Sequence, residues 1–323
     1  MPDTGNNAPR LFYIGGCIAV ALATDYTLGE PPNWGHPVVW MGSLVNVFER
    51  IRPRGGPAVE WLWGLGVSTA LCTTAIGAGL TLTGITARMP LPICIILHGA
   101  CLKTLMSAAG LESAALRCAA SLDDNDLDRA RADLRWLVSR DTSNLTPSEI
   151  AAAAIESVAE NTSDSIVAPL LTFVFFGLPG ALLYRAANTL DAMIGYRGEY
   201  EHAGKAAARF DDFLNIVPSR LTGVLFCLAA GPNWLPALSA MRRDHRLTAS
   251  PNAGWPMSAA AGALDVSLTK QSHYTLNEGR AAPCASDIRR AVRLMRTALI
   301  TGGIAVGMAL LAANSLKKRG ENQ

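Results

Sequence analysis

Long apolar runs alternate with long polar stretches along the 323 residues. Leu11 to Ala23 is apolar, and it reaches crossing length only if it runs on to about Leu28, since a span needs about 20 residues. Ala21-Leu22-Ala23 resembles a signal-peptidase site, but further apolar segments follow, so an uncleaved first span is the simpler reading. Trp61 to about Thr86 is the clearest transmembrane candidate, with Trp61 and Trp63 where an interfacial aromatic belt forms. Leu91 to Leu111 is the next, and it carries His98 and Lys103. Ile166 to Tyr184 is interrupted by Gly177, Pro179 and Gly180, which predicts a kinked span or a re-entrant pair of half-helices. Leu221 to Ala230 is short and reads as a partial or buried helix. Thr297 to Ala313 is a final span, with Gly303 and Gly307 spaced for close helix packing.

The polar stretches differ in texture. Residues 29–58 are rich in Pro, Gly and Trp and read as a structured loop. Residues 112–165 read as helical: Leu116, Leu127, Leu134 and Leu137 recur among Asp and Arg until Asp141-Thr142-Ser143 breaks the pattern. Thr146 as N-cap, Pro147 in the first turn and Glu149 three residues after the cap predict a helix starting at Pro147. Residues 185–218 form another polar stretch, and 239–296 read as loop-rich, then helical from about Ser286. The fold class expected is all-α: a polytopic integral membrane protein with about four to six transmembrane or re-entrant helices and large polar helical loops, in one membrane-embedded domain over residues 1–323.

Composition agrees. Half of the residues are hydrophobic and 17% are charged, too apolar for an ordinary soluble enzyme and too polar for a bare bundle of spans. The net charge of +2 is dispersed, and no basic block interleaves with aromatics, so nucleic acid is not an expected partner. The seven cysteines form no CxxC pair and read as small hydrophobes in a reducing compartment. His98 and Cys94 share a helix face, which reads as packing rather than as a metal site. Most arginines lie in 29–58, 112–165 and 239–296; treating 166–184 and 221–238 as re-entrant puts every polar motif on one side, the cytoplasmic one.

The candidate chemistry is acidic. Glu156, Glu160 and Asp164 recur every four residues, which stacks three carboxylates on one helix face just before the apolar run Leu170 to Leu178. Carboxylates crowded against apolar surface need a cation between them. The bland reading is a solvated helix face entering the membrane; the sharp one is a Mg²⁺ or cationic-substrate site at its boundary. Asn188 and Asp191 share a face, as do Asp211 and Asn215, with Asp212 beside them, and such oxygens are hard ligands suited to Mg²⁺. Arg140, Arg185, Arg197, Arg209 and Arg220 are interleaved with these acids, either as phosphate or carboxylate binders or as structural partners of the acids. Gly198 to Lys205 fails as a phosphate loop, being one residue too long and lacking the Ser/Thr after the Lys. His36 lies between turn residues and reads equally as pocket lining or as structure. Asn252 and Trp255 in Ser250-Pro-Asn-Ala-Gly-Trp255 are available for ligand contact.

Taken together, His36-Pro-Val-Val-Trp-Met-Gly42, Arg140-Asp-Thr142, Glu156-Ser-Val-Ala-Glu-Asn-Thr162 with Ala168-Pro169, Asn188-Thr-Leu-Asp191 with Gly195-Tyr196, Arg209-Phe-Asp-Asp212 with Asn215 and Pro218-Ser-Arg-Leu221, and Ser250 to Trp255 with Ala261-Gly-Ala-Leu264 occur in the order found in the adenosylcobinamide-phosphate synthases of cobalamin biosynthesis (CobD/CbiB). The chain resembles that family over roughly residues 20–296. The resemblance implies a multi-pass enzyme of the cytoplasmic membrane that joins aminopropanol, or its phosphate, to a propionate of adenosylcobyric acid in an ATP-dependent acid–amine ligation. It implies ATP and Mg²⁺ as cofactors, corrinoid and amino-alcohol substrates, the lipid bilayer as surroundings, and other corrin-pathway enzymes as candidate partners. On that reading Glu156, Glu160, Asp164, Asp191 and His36 are the catalytic candidates. Arg140, Asn161, Asn188, Arg197, Arg209, Asn215, Asn252 and Trp255 are expected to bind substrate or phosphate, and Asp191, Asp211 and Asp212 the metal. Glu30, Ser139, Ser163, Ser165 and Thr269-Lys270 depart from the family pattern, and Gln271 to Ser286 is short, which puts the late loop and substrate preference in doubt. A non-catalytic membrane sensor or scaffold of the same superfamily is the alternative. A Mg²⁺-diphosphate prenyltransferase is disfavoured, because paired DxxxD or NDxxD helices are missing.

Overall fold

A computed structural model describes the backbone of residues 7–53, 55–196 and 198–321, with side chains except at 7–9, 305, 306 and 308–321. Arg197 therefore lies outside the described residues, as do eight of the side chains of the expected span Thr297 to Ala313. The described chain is helical apart from one short hairpin. In order it runs α1 (Asn7–Leu28), α2 (Pro37–Arg50), α3 (Pro57–Thr86), α4 (Leu91–Lys103), α5 (Ala108–Asp123), α6 (Leu127–Leu134) and α7 (Pro147–Thr162). Then follow a π turn (Ser163–Val167), α8 (Ala168–Ile194), α9 (Lys205–Leu214), α10 (Ile216–Ala229), α11 (Trp234–Asp244), α12 (Gly254–Leu264), β1 (Leu268–Lys270), β2 (Tyr274–Leu276) and α13 (Ala285–Glu321). Among the described residues, four helical stretches are long and apolar enough to cross a membrane: Arg10–Leu28, Pro57–Thr86, Leu91–Asp123 and Pro147–Ile194; α9 and α10 add a fifth if they form one span. The protein is a polytopic membrane protein.

The chain divides into two compact units, residues 1–107 with 168–215, and residues 108–167 with 216–323. In the first, α1 packs on α4, and α8 packs on α2, α3, α4 and α9. In the second, α12 lies against α10 and α11, and α13 against α5, α7 and α10.

Local chemistry sets the element ends. At α7, Glu149 N–H donates to Thr146 Oγ1 at 3.4 Å and Thr146 N–H donates to Glu149 Oε2 at 2.8 Å, the reciprocal box its sequence predicts. The expected continuous run Leu91 to Leu111 is in fact broken after Lys103, and α5 begins at Ala108. Within α8, Gly177 takes φ 66° and ψ −159°, a conformation open to glycine alone, two residues before Pro179. The interruption expected there is thus a discrete break in the helix.

Two stretches read as loops are corrected. Residues 29–58 hold α2, whose first turn is set by Pro37 and by His36 Nδ1 accepting from Val38 N–H at 3.2 Å. Its flanking Pro, Gly and Trp residues disguise the helix. Residues 239–296 hold α12, which is buried along its whole length apart from Trp255. Small side chains there let neighbouring helices approach, and the helix ends on Asp265 in the left-handed region at φ 58°.

The His98 ring is buried between the Tyr13 hydroxyl and Thr86 Oγ1, the latter 2.7 Å from Nε2. All seven cysteines are free. Cys17, Cys72, Cys118 and Cys227 are buried, Cys94 and Cys101 are half-buried, and Cys284 is exposed.

Candidate functional site

The polar motif residues gather into one cluster in the first unit and two in the second. In the first unit, α8 and α9 face each other through Asp211. Asn215 Nδ2 donates to Asp211 Oδ2 at 2.9 Å, and Asn188 Nδ2 donates to Asp211 Oδ1 at 3.4 Å. Asn215 is oriented in turn by the Tyr184 hydroxyl, which donates to its Oδ1 at 2.8 Å. Arg185 adds a 3.3 Å bond to Asn188 Oδ1. Asp191, one turn beyond Asn188, is within electrostatic reach of Asp211 and Asp212. Its carboxylate lies over the backbone of residue 195: a Cβ there would sit 2.0 Å from Asp191 Oδ1, so the position admits only glycine.

Tyr184 escapes sequence reasoning because it sits inside an apolar run and reads as core. Only the fold shows that its hydroxyl meets a residue 31 positions away.

In the second unit, Glu156 lies on α7 with its side chain 8% exposed, and Arg140 Nη2 approaches its Oε2 at 3.7 Å. Glu156 Oε1 and Arg140 Nε are both buried and make no hydrogen bond. The hairpin closes over the carboxylate: Lys270 and Tyr274 are cross-strand partners, and both are in electrostatic contact with Glu156. Burial pushes the Tyr274 phenol up, and Glu156 and Glu160 push it further, so it is a protonated donor at neutral pH. The hairpin therefore supplies two side chains to this cluster. Alternation in Leu268-Thr-Lys and Tyr274-Thr-Leu276 around three polar residues is the signal that points to a hairpin.

The expected stack of Glu156, Glu160 and Asp164 holds only in part. Glu156 and Glu160 share α7, whereas Asp164 falls in the π turn, where the helical repeat widens. Asn161, expected at substrate, is engaged locally: its Nδ2 donates to Ser157 O at 3.0 Å and its Oδ1 accepts from Ser165 Oγ at 3.2 Å.

A third cluster surrounds Asn252 and Trp255. Asn252 Oδ1 accepts from Arg220 Nη1 at 3.1 Å and from Ser219 Oγ at 3.3 Å. The Trp255 ring lies 4.0 Å from the His245 ring and 4.8 Å from the Arg220 guanidinium. Two expected residues stand outside these clusters. Arg209 is exposed on α9. His36 is a helix cap whose Nε2 lies 3.2 Å from Glu30 Oε2. Glu30 also accepts from buried Lys103 at 2.7 Å and from Ser107 at 2.8 Å, so the ring of His36 serves a structural network.

The Asp211 cluster suits a hard cation by its donor set, which is all carboxylate and carboxamide. Among the described residues no three His, Cys, Asp or Glu side chains converge as a metal cage. Such a set would suit a Mg²⁺ carried with substrate phosphate, which needs only one or two protein carboxylates.

Comparison with known proteins is consistent across the chain. The family model for the CobD/Cbib protein matches residues 18–295. A cobalamin biosynthesis protein CobD from Dehalococcoides mccartyi (strain CBDB1) is 43% identical over 80% of this chain and 85% of its own length. One from Chromobacterium violaceum is 42% identical over 93% of this chain and 95% of its own. A probable CobD from Methanothermobacter thermautotrophicus is 41% identical over 83% and 86%. No solved structure matches the chain.

Proposed function

Because the chain belongs to the CobD/CbiB protein family and so acts in cobalamin biosynthesis, we propose that it is the ATP-dependent ligase that forms the amide between aminopropanol, free or phosphorylated, and a propionate of adenosylcobyric acid. The observation that carries the reading is the family match over residues 18–295, which takes in every cluster described above.

A free carboxylate does not acylate an amine. In the reaction proposed, the propionate oxygen attacks the γ-phosphorus of ATP and ADP leaves, giving an acyl phosphate. The amine nitrogen then attacks the acyl carbon, phosphate departs with the C–O bonding pair, and the amine proton passes to a base. The Asp211 cluster is the part we assign to the phosphate chemistry. Asp191 and Asp211, with Asp212 beside them, would hold Mg²⁺, which supplies charge neutralisation on the phosphates when bound. Asn188 and Asn215 fix the Asp211 carboxylate, so its geometry is set before substrate arrives. Arg140, Arg197 and Arg209 are candidate phosphate contacts, and Glu160 is a candidate base. The cytoplasmic membrane, with the polar motif loops on the cytoplasmic side where ATP is found, completes the proposal.

Complementation tests it. The chain is expressed in a cell lacking its own synthase and supplied with cobyric acid, alongside Asp191→Ala and Glu160→Ala. Growth with wild type and none with well-inserted variants is the expected result. Failure of a stably inserted wild-type chain with either amine form would refute the ligase reading.

A further inference from the structure

The Glu156 cluster on α7 holds two buried polar atoms that no side chain of the fold satisfies. Glu156 Oε1 is a buried acceptor without a donor, and Arg140 Nε is a buried donor without an acceptor, on side chains already 3.7 Å apart. Buried polar atoms are nearly always paired, whether by protein, by water or by a ligand. Their surroundings narrow the ligand. Glu156 and Glu160 bring two carboxyl groups, and Arg140 and Lys270 bring two cationic ones. A ligand of one sign gains nothing net from that balance. Tyr274 closes the same carboxylate from the hairpin.

What fits is a small molecule bearing an amine and an oxygen a few bonds apart. An ammonium has three N–H donors and no acceptor, which matches acceptor-only carboxylates at Glu156 and Glu160. An adjacent hydroxyl or phosphate oxygen gives Arg140 Nε its missing acceptor, with Lys270 a second cation in electrostatic contact with Glu156. A corrin carboxamide meets the pair less well, because its two N–H groups cannot serve both carboxylates and its oxygen is neutral.

We propose that Glu156, Arg140 and Tyr274, with Glu160 and Lys270, form the subsite that holds the amino-alcohol substrate by its amine and neighbouring oxygen. This inference rests on the ligase reading for the identity of the ligand, but binding can be measured without turnover.

The experiment is equilibrium binding of radiolabelled aminopropanol and aminopropanol phosphate to the full chain in detergent, for wild type, Glu156→Gln, Tyr274→Phe and Arg140→Lys. Thermal unfolding of each variant checks folding. Expected is at least a ten-fold weaker affinity for both amines in Glu156→Gln and about three-fold in Tyr274→Phe. Arg140→Lys should weaken the phosphate ester more than the free alcohol, and ATP binding should stay within two-fold in Glu156→Gln and Tyr274→Phe. Folded Glu156→Gln and Tyr274→Phe proteins that bind both amines as wild type does would overturn the subsite. If wild type binds amine but does not ligate, the ligase reading fails while the subsite stands. If it ligates and the variants keep their amine affinity, the subsite fails alone. A wild type that binds neither amine overturns the subsite.

Discussion

The Tyr184 hydroxyl donates to the side-chain oxygen of Asn215 at 2.8 Å, with the ring fully buried on α8. The bond turns the Asn215 amide so that its N–H points at Asp211. Tyr184→Phe removes that donor and keeps the packing. It should lower kcat about ten-fold, the usual cost of loosening the group that orients a metal or phosphate ligand. Stability should fall by about 1 kcal/mol. Ligase assay and thermal unfolding in detergent check the two effects separately, and unchanged kcat would remove Tyr184 from the positioning network.

Gly195→Ala puts a methyl group where Asp191 Oδ1 now lies. The carboxylate must swing away, and misplacement by about 1 Å costs on the order of a hundred-fold in rate. The same Cβ would lie 2.6 Å from the Asp191 backbone oxygen, so the end of α8 must shift as well and the melting temperature should fall alongside turnover. Turnover at wild-type level would show that Asp191 is not held for the reaction.

Glu30 gives a pH dependence with a definite sign. Burial pushes its carboxyl up, but Lys103, Ser107 and His36 outweigh burial and hold it below its ordinary value of 4.5. Its contribution to stability is therefore complete above that value and is lost as pH falls through the lower folded one. Unfolding midpoints from about pH 7 down to about pH 3 should show an acid limb that Glu30→Gln flattens. An acid limb of equal steepness in the variant would assign it to other carboxylates.

The apolar segments and the capping box at Thr146 were legible in the sequence because each is written in adjacent residues. Pairings at i, i+3 and i, i+4, such as Asp211 with Asn215, were legible for the same reason. The rest depended on distant partners. Asn161 is a good ligand type, yet Ser157 and Ser165 use its polar capacity. Arg140 was open to two readings, and its approach to Glu156 brings it to the acid cluster. Tyr274 meets Glu156 only because a hairpin returns to α7, and no local pattern near Glu156 announces it. His36 offered two ring nitrogens to chemistry, and the start of α2 takes one while Glu30 takes the other.

Cys284, the exposed thiol, precedes α13 and follows the hairpin that carries Tyr274. Its position makes it a native orientation marker that needs no engineered residue. A membrane-impermeant maleimide should leave it unlabelled in intact cells with permeabilised outer walls and modify it in inverted vesicles, with Cys284→Ser as the blank. Labelling from outside would move the hairpin, and the amine subsite with it, to the face that ATP does not reach.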